Sequence, residues 1–261
     1  MKSNLGEQVE YALPLFDNLE LNQYFELNQF IGKEIEIRFL NRINCVVTGK
    51  LIKKPYGEGM SYDAFMKSPM ASPSIIRPEL SRIHEGVALR DEEWERKHHL
   101  TPHFTYLSLT SGVKVGVTRS TQIPTRWIDQ GAVQGIILAE TPYRQMAGLI
   151  EVELKQYVAD KTNWRTMLKN EYDREISLLE RKNEMLDYLP EEYHEFIADD
   201  YSITSIEYPV LEYPEKVSSM KLDKVPLIQG VLKGIKGQYL IFDQGVINMR
   251  SHSGYAIEIS A

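Results

Sequence analysis

At 261 residues and 43 % hydrophobic content, the chain has the composition of a soluble globular protein, with room for one large domain or two to three small ones. A net charge of −7 argues against non-specific coating of nucleic acid, which is built from many lysine and arginine contacts with phosphate. No stretch approaches the roughly 18 apolar residues a membrane span needs, the first residues lack a leader pattern, and the single cysteine, Cys45, excludes an internal disulfide, so a cytoplasmic protein with no membrane partner is expected.

Residues 1–103 read as a β/loop region. After a loop-rich lead, Ile35, Ile37 and Phe39 alternate with charged residues as in a half-buried strand, and the apolar run from Cys45 to Ile52 could pair with it. From Lys53 to Pro78 glycine, proline, serine and methionine predict turns and irregular chain. The run DEEWERKHH then predicts a short helix with a solvated face.

Residues 104–169 carry the chemistry. Val113, Val115 and Val117 alternate with Lys114, Gly116 and Thr118, and Leu107 and Leu109 with Tyr106 and Ser108. If leucines and valines share a core, Tyr106 and Lys114 project together from the other face. Pro124 and Gly131 bracket a short helix bearing Arg126 and Trp127, and burial against the sheet is the expectation for Trp127 and Trp164. A third strand over Val133 to Ala139 leads into a helix from about Arg144 to Tyr157, with Met146, Ile150, Leu154 and Tyr157 inward. Glu151 lies beside that stripe, where the bland reading is an exposed ion pair with Lys155 one turn on. From Lys114 to Lys169 eight basic residues face five acidic ones, a net +3 that leaves −10 for the rest. A localised anion site fits this imbalance, with Arg119, Lys155, Lys161 and Arg165 as nucleic-acid contacts.

Residues 170–200 predict an acidic helical connector, with Ile176, Leu179, Met185 and Leu186 at near-helical spacing and Pro190 as a break. Residues 201–261 predict short strands with turn signals about every ten residues, in a small antiparallel β-barrel-like cap. Within the last strand Tyr255, Ile257 and Ile259 face one way. GIKGQ lacks the Lys-Ser/Thr pair of a phosphate-cradling loop and is rejected as one.

The order Tyr-Leu-Ser, Lys-Val-Gly, Arg126 on a helix and then Leu149 to Lys155 resembles the GIY-YIG nuclease superfamily. More closely, KVGVTRSTQIPTRWIDQGA, EVELKQYVADKTNWRTML, YPEKVSSMKLDK and GIKGQYLIF resemble an uncharacterised bacterial family, domain of unknown function 2797. The resemblance implies an α+β fold with a small GIY-YIG-like three-stranded sheet and flanking helices. It further implies that Tyr106 helps activate the attacking water, Arg126 neutralises phosphate charge and Glu151 holds one divalent ion, Mg²⁺ or Mn²⁺. Lys114 replaces the superfamily's second tyrosine, which puts proton transfer in question, and Asn163 is the one candidate for the polar residue that usually follows. The function implied is hydrolysis of DNA or RNA phosphodiesters. The alternative is a non-catalytic nucleic-acid-binding or partner-binding protein that keeps the fold.

Relatives in the second family, as the resemblance implies, carry paired cysteines of a zinc knuckle. Here the spacing survives as Cys45 to Thr48 and Ser61 to Ala64, with one thiolate of four, so no structural zinc is expected. His84, His98, His99 and His103 are read as surface histidines near a helix end rather than substitute ligands.

Overall fold

A computed structural model describes residues 1–17, 19–158 and 162–261. The chain forms a mixed α+β protein of two compact units, one from Met1–Met66, Leu168–Asn170 and Glu207–Ala261, the other from Lys67–Met167 and Glu171–Ile206.

The first unit opens with strands β1 (Lys2–Leu5), β2 (Val9–Asp17) and β3 (Glu20–Glu26), an antiparallel sheet in that order. This corrects the loop-rich lead. Val9, Tyr11 and Leu13 recur every second residue and are buried, so β2 has an apolar face to bury despite Pro14. Strand β4 (Glu34–Asn44) buries Ile35, Ile37 and Phe39 as their alternation requires. Of the apolar run after it, β5 (Leu51–Ile52) alone pairs with β4. Cys45 instead starts a tight turn, its amide donating to Lys50 O and its carbonyl accepting from Gly49.

Helix α1 (Tyr62–Lys67) leads to the second unit, where α2 (Pro73–Ile76), a 3₁₀ turn at Pro78–Leu80 and α3 (Glu92–His99) precede the sheet. Strand β6 (His103–Leu109) pairs with β7 (Val113–Arg119), α4 (Thr125–Asp129) follows, and β8 (Gln134–Thr141) pairs with the other edge of β6. Then come α5 (Arg144–Leu154), α6 (Trp164–Leu168), α7 (Leu178–Asp187) and the short strand β9 (Thr204–Ser205), giving the sheet order β7-β6-β8-β9. Leu107, Leu109, Val115, Ile136 and Leu138 from the sheet pack with Ile150 and Leu154 of α5 and Leu178 and Met185 of α7. Each such fully buried side chain contributes about 1.5–3 kcal/mol. Tyr157 does not join them, because α5 ends at Leu154; it is exposed and stacks on Tyr188 with ring centroids 4.0 Å apart. In the acidic connector Leu179 is likewise exposed, and Leu178 occupies the core instead.

The chain then returns to the first unit as β10 (Ser219–Met220), β11 (Leu227–Lys236), β12 (Tyr239–Phe242), β13 (Val246–Asn248) and β14 (Tyr255–Ser260). Strand β4 inserts between β11 and β14 in the order β10-β13-β12-β11-β4-β14. The segments expected as an N-terminal region and a separate C-terminal cap thus share one sheet. No helix among the described residues is long and apolar enough to cross a membrane.

Candidate functional site

The second unit places Tyr106 and α4 on the sheet face opposite the leucine core, while α5, which carries Glu151, packs on the leucine face itself. Period-two alternation puts Tyr106 on the former face of β6, cross-strand from Gly116 on β7. A side chain at Gly116 has no room, since its Cβ would lie 2.6 Å from the Tyr106 hydroxyl oxygen. Trp127 of α4 packs edge-on against the Tyr106 ring with centroids 5.9 Å apart, and Trp127 in turn needs Gly135, whose Cβ would stand 2.4 Å from the indole. Two glycines and a buried tryptophan therefore fix the tyrosine's orientation.

Around its hydroxyl stand polar groups from α4. Gln130 Nε2 donates to Tyr106 Oη at 2.8 Å, and the Arg126 side chain reaches the same oxygen. Gly131, at φ +73°, ends this helix immediately after Gln130 and holds it there. Tyr106 is wholly buried, and burial pushes its phenol up, opposed by Arg126 and Gln130 and reinforced by Glu151. Tyr106 thus lies in the field of Arg126 and, as the smallest of these influences, of Glu151.

Glu151 comes from α5. Thr105 Oγ1 donates to Ala147 O at 3.0 Å, tying that helix to β6, and Glu151 follows one turn later. The expected pair with Lys155 is present, Nζ to Oε2 at 3.3 Å, but it is not a surface pair, because Glu151 is 7 % exposed. The Lys155 ammonium stands outside good hydrogen-bond geometry, and Oε2 has no hydrogen-bond partner among the described residues. Burial pushes the Glu151 carboxyl up; Lys155 and Arg144 pull it down and Glu79 pushes it up further.

What covers Glu151 is the turn at Pro78–Leu80. Gly148 presents bare backbone to it, so that a Cβ there would lie 2.4 Å from Glu79 N and 2.6 Å from Pro78 C. Arg144, at the start of α5, is buried and donates from Nε to Ser74 O at 2.8 Å and from Nη2 to Ile75 O at 3.0 Å. Its guanidinium is lowered to about 10, chiefly by burial, with Glu151 and Glu79 opposing.

The other sequence-selected residues scatter. Lys114 lies on the same strand face as Gly116 and is buried. Arg119 Nη1 donates to His98 Nδ1 at 2.7 Å, and Arg165 lies 4.2 Å over the Trp164 ring. Lys161 lies outside the described residues. Asn163 caps α6, its Oδ1 accepting from the Arg165 and Thr166 amides, which explains it without a ligand. His99 and His103 are buried rather than surface residues, because α3 and the start of β6 pack inward there; burial lowers them to about 3 and about 4. Among the described residues no group of three or more His, Cys, Asp or Glu is arranged to hold a metal ion.

Sequence reasoning missed Gln130, Arg144 and the Glu79–Gly148 contact. Gly148 inside an otherwise helical pattern was the one available signal, since glycine there costs about 1 kcal/mol against alanine unless backbone must approach closely.

A family model described as a protein of unknown function, DUF2797, matches residues 32–257, and the chain belongs to that family. No curated protein and no solved structure matches it.

Proposed function

We propose that this protein is a metal-dependent nuclease of GIY-YIG type, acting on DNA or RNA phosphodiesters in the cytoplasm through Tyr106, Arg126 and Glu151. The observation that carries this reading is that Tyr106 of β6 lies in the field of both Arg126 of α4 and Glu151 of α5, which follow it by 20 and 45 positions of sequence. Such a reaction needs positive charge where the phosphate develops negative charge, which Arg126 supplies, and an oriented water, for which the Tyr106 oxygen is the candidate partner.

A divalent ion fits the donor chemistry of Glu151, whose Oε2 is a buried carboxylate oxygen lacking a hydrogen bond. Mg²⁺ binds through one or two carboxylates and otherwise water, so a single protein ligand suffices. When bound, the ion supplies Lewis-acid polarisation of the phosphoryl oxygen. Lys155 would give up its ion pair, and Lys114 would add positive charge near the strand.

The complete burial of Tyr106 favours a second reading, a non-catalytic nucleic-acid-binding or partner-binding protein that keeps the fold, since a phenol shut away from water and pushed up by burial is a poor base. Incubation with Mg²⁺ or Mn²⁺ and labelled single- and double-stranded DNA and RNA decides between them. The nuclease reading expects cleavage by wild type, reduced at least 100-fold in Glu151→Gln and Arg126→Ala. Binding without cleavage on every substrate selects the second reading.

A further inference from the structure

Residues 72–80 lie against α5, with Ser72, Ser74 and Pro78 buried. The contact is backbone on backbone at Gly148, and it is pinned by the two carbonyls of Ser74 and Ile75 that Arg144 holds. The segment's outer side contributes little, as Ile76 is 84 % exposed. Two carboxylates lie within each other's field beside this contact. Glu79 Oε2 and Glu151 Oε2 are both buried and both lack a hydrogen bond, and Glu79 raises the cost of charging Glu151. Arg77 pairs with Glu79 through Oε1 at 2.9 Å, Lys155 pairs with Glu151 and Arg144 lies in the field of both, so the arrangement is held by permanent cations of the chain itself. That makes it a poor shared metal site and a contact under electrostatic tension.

From this geometry we infer that residues 72–80 are an autoinhibitory strap, which closes over Glu151 by seating on Gly148 and is lifted when a cation and an anionic substrate claim Glu151 and the arginines. The inference rests on the nuclease reading for the identity of what is gated, but the closure has its own readouts. A cation that takes Glu151 must displace the strap, and an opened strap must leave Glu151 accessible.

Gly148→Ala tests this directly. The added methyl favours α5 as a helix and collides with the backbone of Pro78 and Glu79, so the strap must move. Hydrogen exchange should show loss of protection in residues 72–80 with β6 and β8 unchanged, and Mn²⁺ affinity, measured by the electron paramagnetic resonance of free Mn²⁺, should rise at least tenfold over wild type. Retained protection in folded Gly148→Ala, or released strap with Mn²⁺ affinity unchanged, overturns the gate. Should Gly148→Ala fail to fold, Glu79→Gln decides: relief of the carboxylate opposition should increase protection of residues 72–80, and unchanged protection overturns the proposal. If strap and Mn²⁺ respond as expected while no nucleic acid is cut by Gly148→Ala, the gate stands and the hydrolytic reading falls.

Discussion

Tyr106 occupies the space that a side chain on Gly116 would fill, its hydroxyl oxygen 2.6 Å from where the Cβ would stand. Gly116→Ala should therefore destabilise the protein by about 1–3 kcal/mol, as overpacked sites do. In a Tyr106→Leu background the same substitution should cost much less, because the two positions compete for one volume. Urea unfolding of the four proteins of this cycle measures the coupling, and additive costs would show that the ring sits elsewhere in solution.

Acid should destabilise the second unit earlier than carboxylate titration alone would. His99 and His103 are held neutral, at about 3 and about 4 against an ordinary value near 6.5, mainly by burial and then by Arg144 for His99. Between those values the unfolded chain binds more protons than the folded one, so stability falls as pH drops from about 6.5 towards 4. His99→Gln should flatten that slope, read from the unfolding midpoint at pH 7, 6, 5 and 4.5; an unchanged slope would mean that His99 is solvated.

Lys236 gives the opposite window. It is fully buried, donates to Asn170 Oδ1 at 2.7 Å and faces the rings of Tyr208 and Tyr213, and burial lowers it to about 7 from 10.5. The unfolded chain then binds more protons between pH 7 and 10.5, so the cost of the buried amine is present at and below pH 7 and disappears as pH rises. Lys236→Met is expected to be more stable than wild type by about 1–3 kcal/mol at pH 7, with the difference closing by pH 10. A difference independent of pH would assign it to packing alone.

Cys45 opens the tight turn that leads to β5. Burial raises its thiol, but the Thr48 hydroxyl and the amides of Ser61, Val47 and Thr48 outweigh that and bring it to about 6. The Ser61 amide lies 3.2 Å from Sγ. Thiolate absorbance at 240 nm should therefore titrate near pH 6 in wild type and vanish in Cys45→Ser, and metal analysis of purified protein should find well under one zinc per chain. Titration near 8.5 would mean the donors do not reach the sulfur.

What the sequence makes legible here is what depends on neighbours along the chain. Period-two alternation placed Tyr106 and Lys114 on one face of adjacent strands, and the same rule buried Ile35, Ile37 and Phe39. The bracket of Pro124 and Gly131 located α4, and Trp127 is buried against the sheet. The environment of Glu151 was not legible, because its cover comes from Glu79, seventy-two positions earlier, through a backbone contact that has no side-chain signature except an absent one at Gly148. The histidines misled for a similar reason: the RKHH run reads as surface, whereas His103 owes its burial to strand partners on both sides at Arg119 and Thr141. Strand β2 was hidden by Pro14 at its middle, although Val9, Tyr11 and Leu13 already keep step.

The seating of β4 between β11 and β14 also dictates an order of assembly. During synthesis β4 emerges about 190 residues before β11 and about 220 before β14, with its apolar face unmatched until both have left the ribosome. The intervening unit, whose sheet strands β6, β7 and β8 are near neighbours along the chain, can fold in the meantime. Truncation ahead of β11 should therefore leave the second unit folded and β4 prone to aggregate.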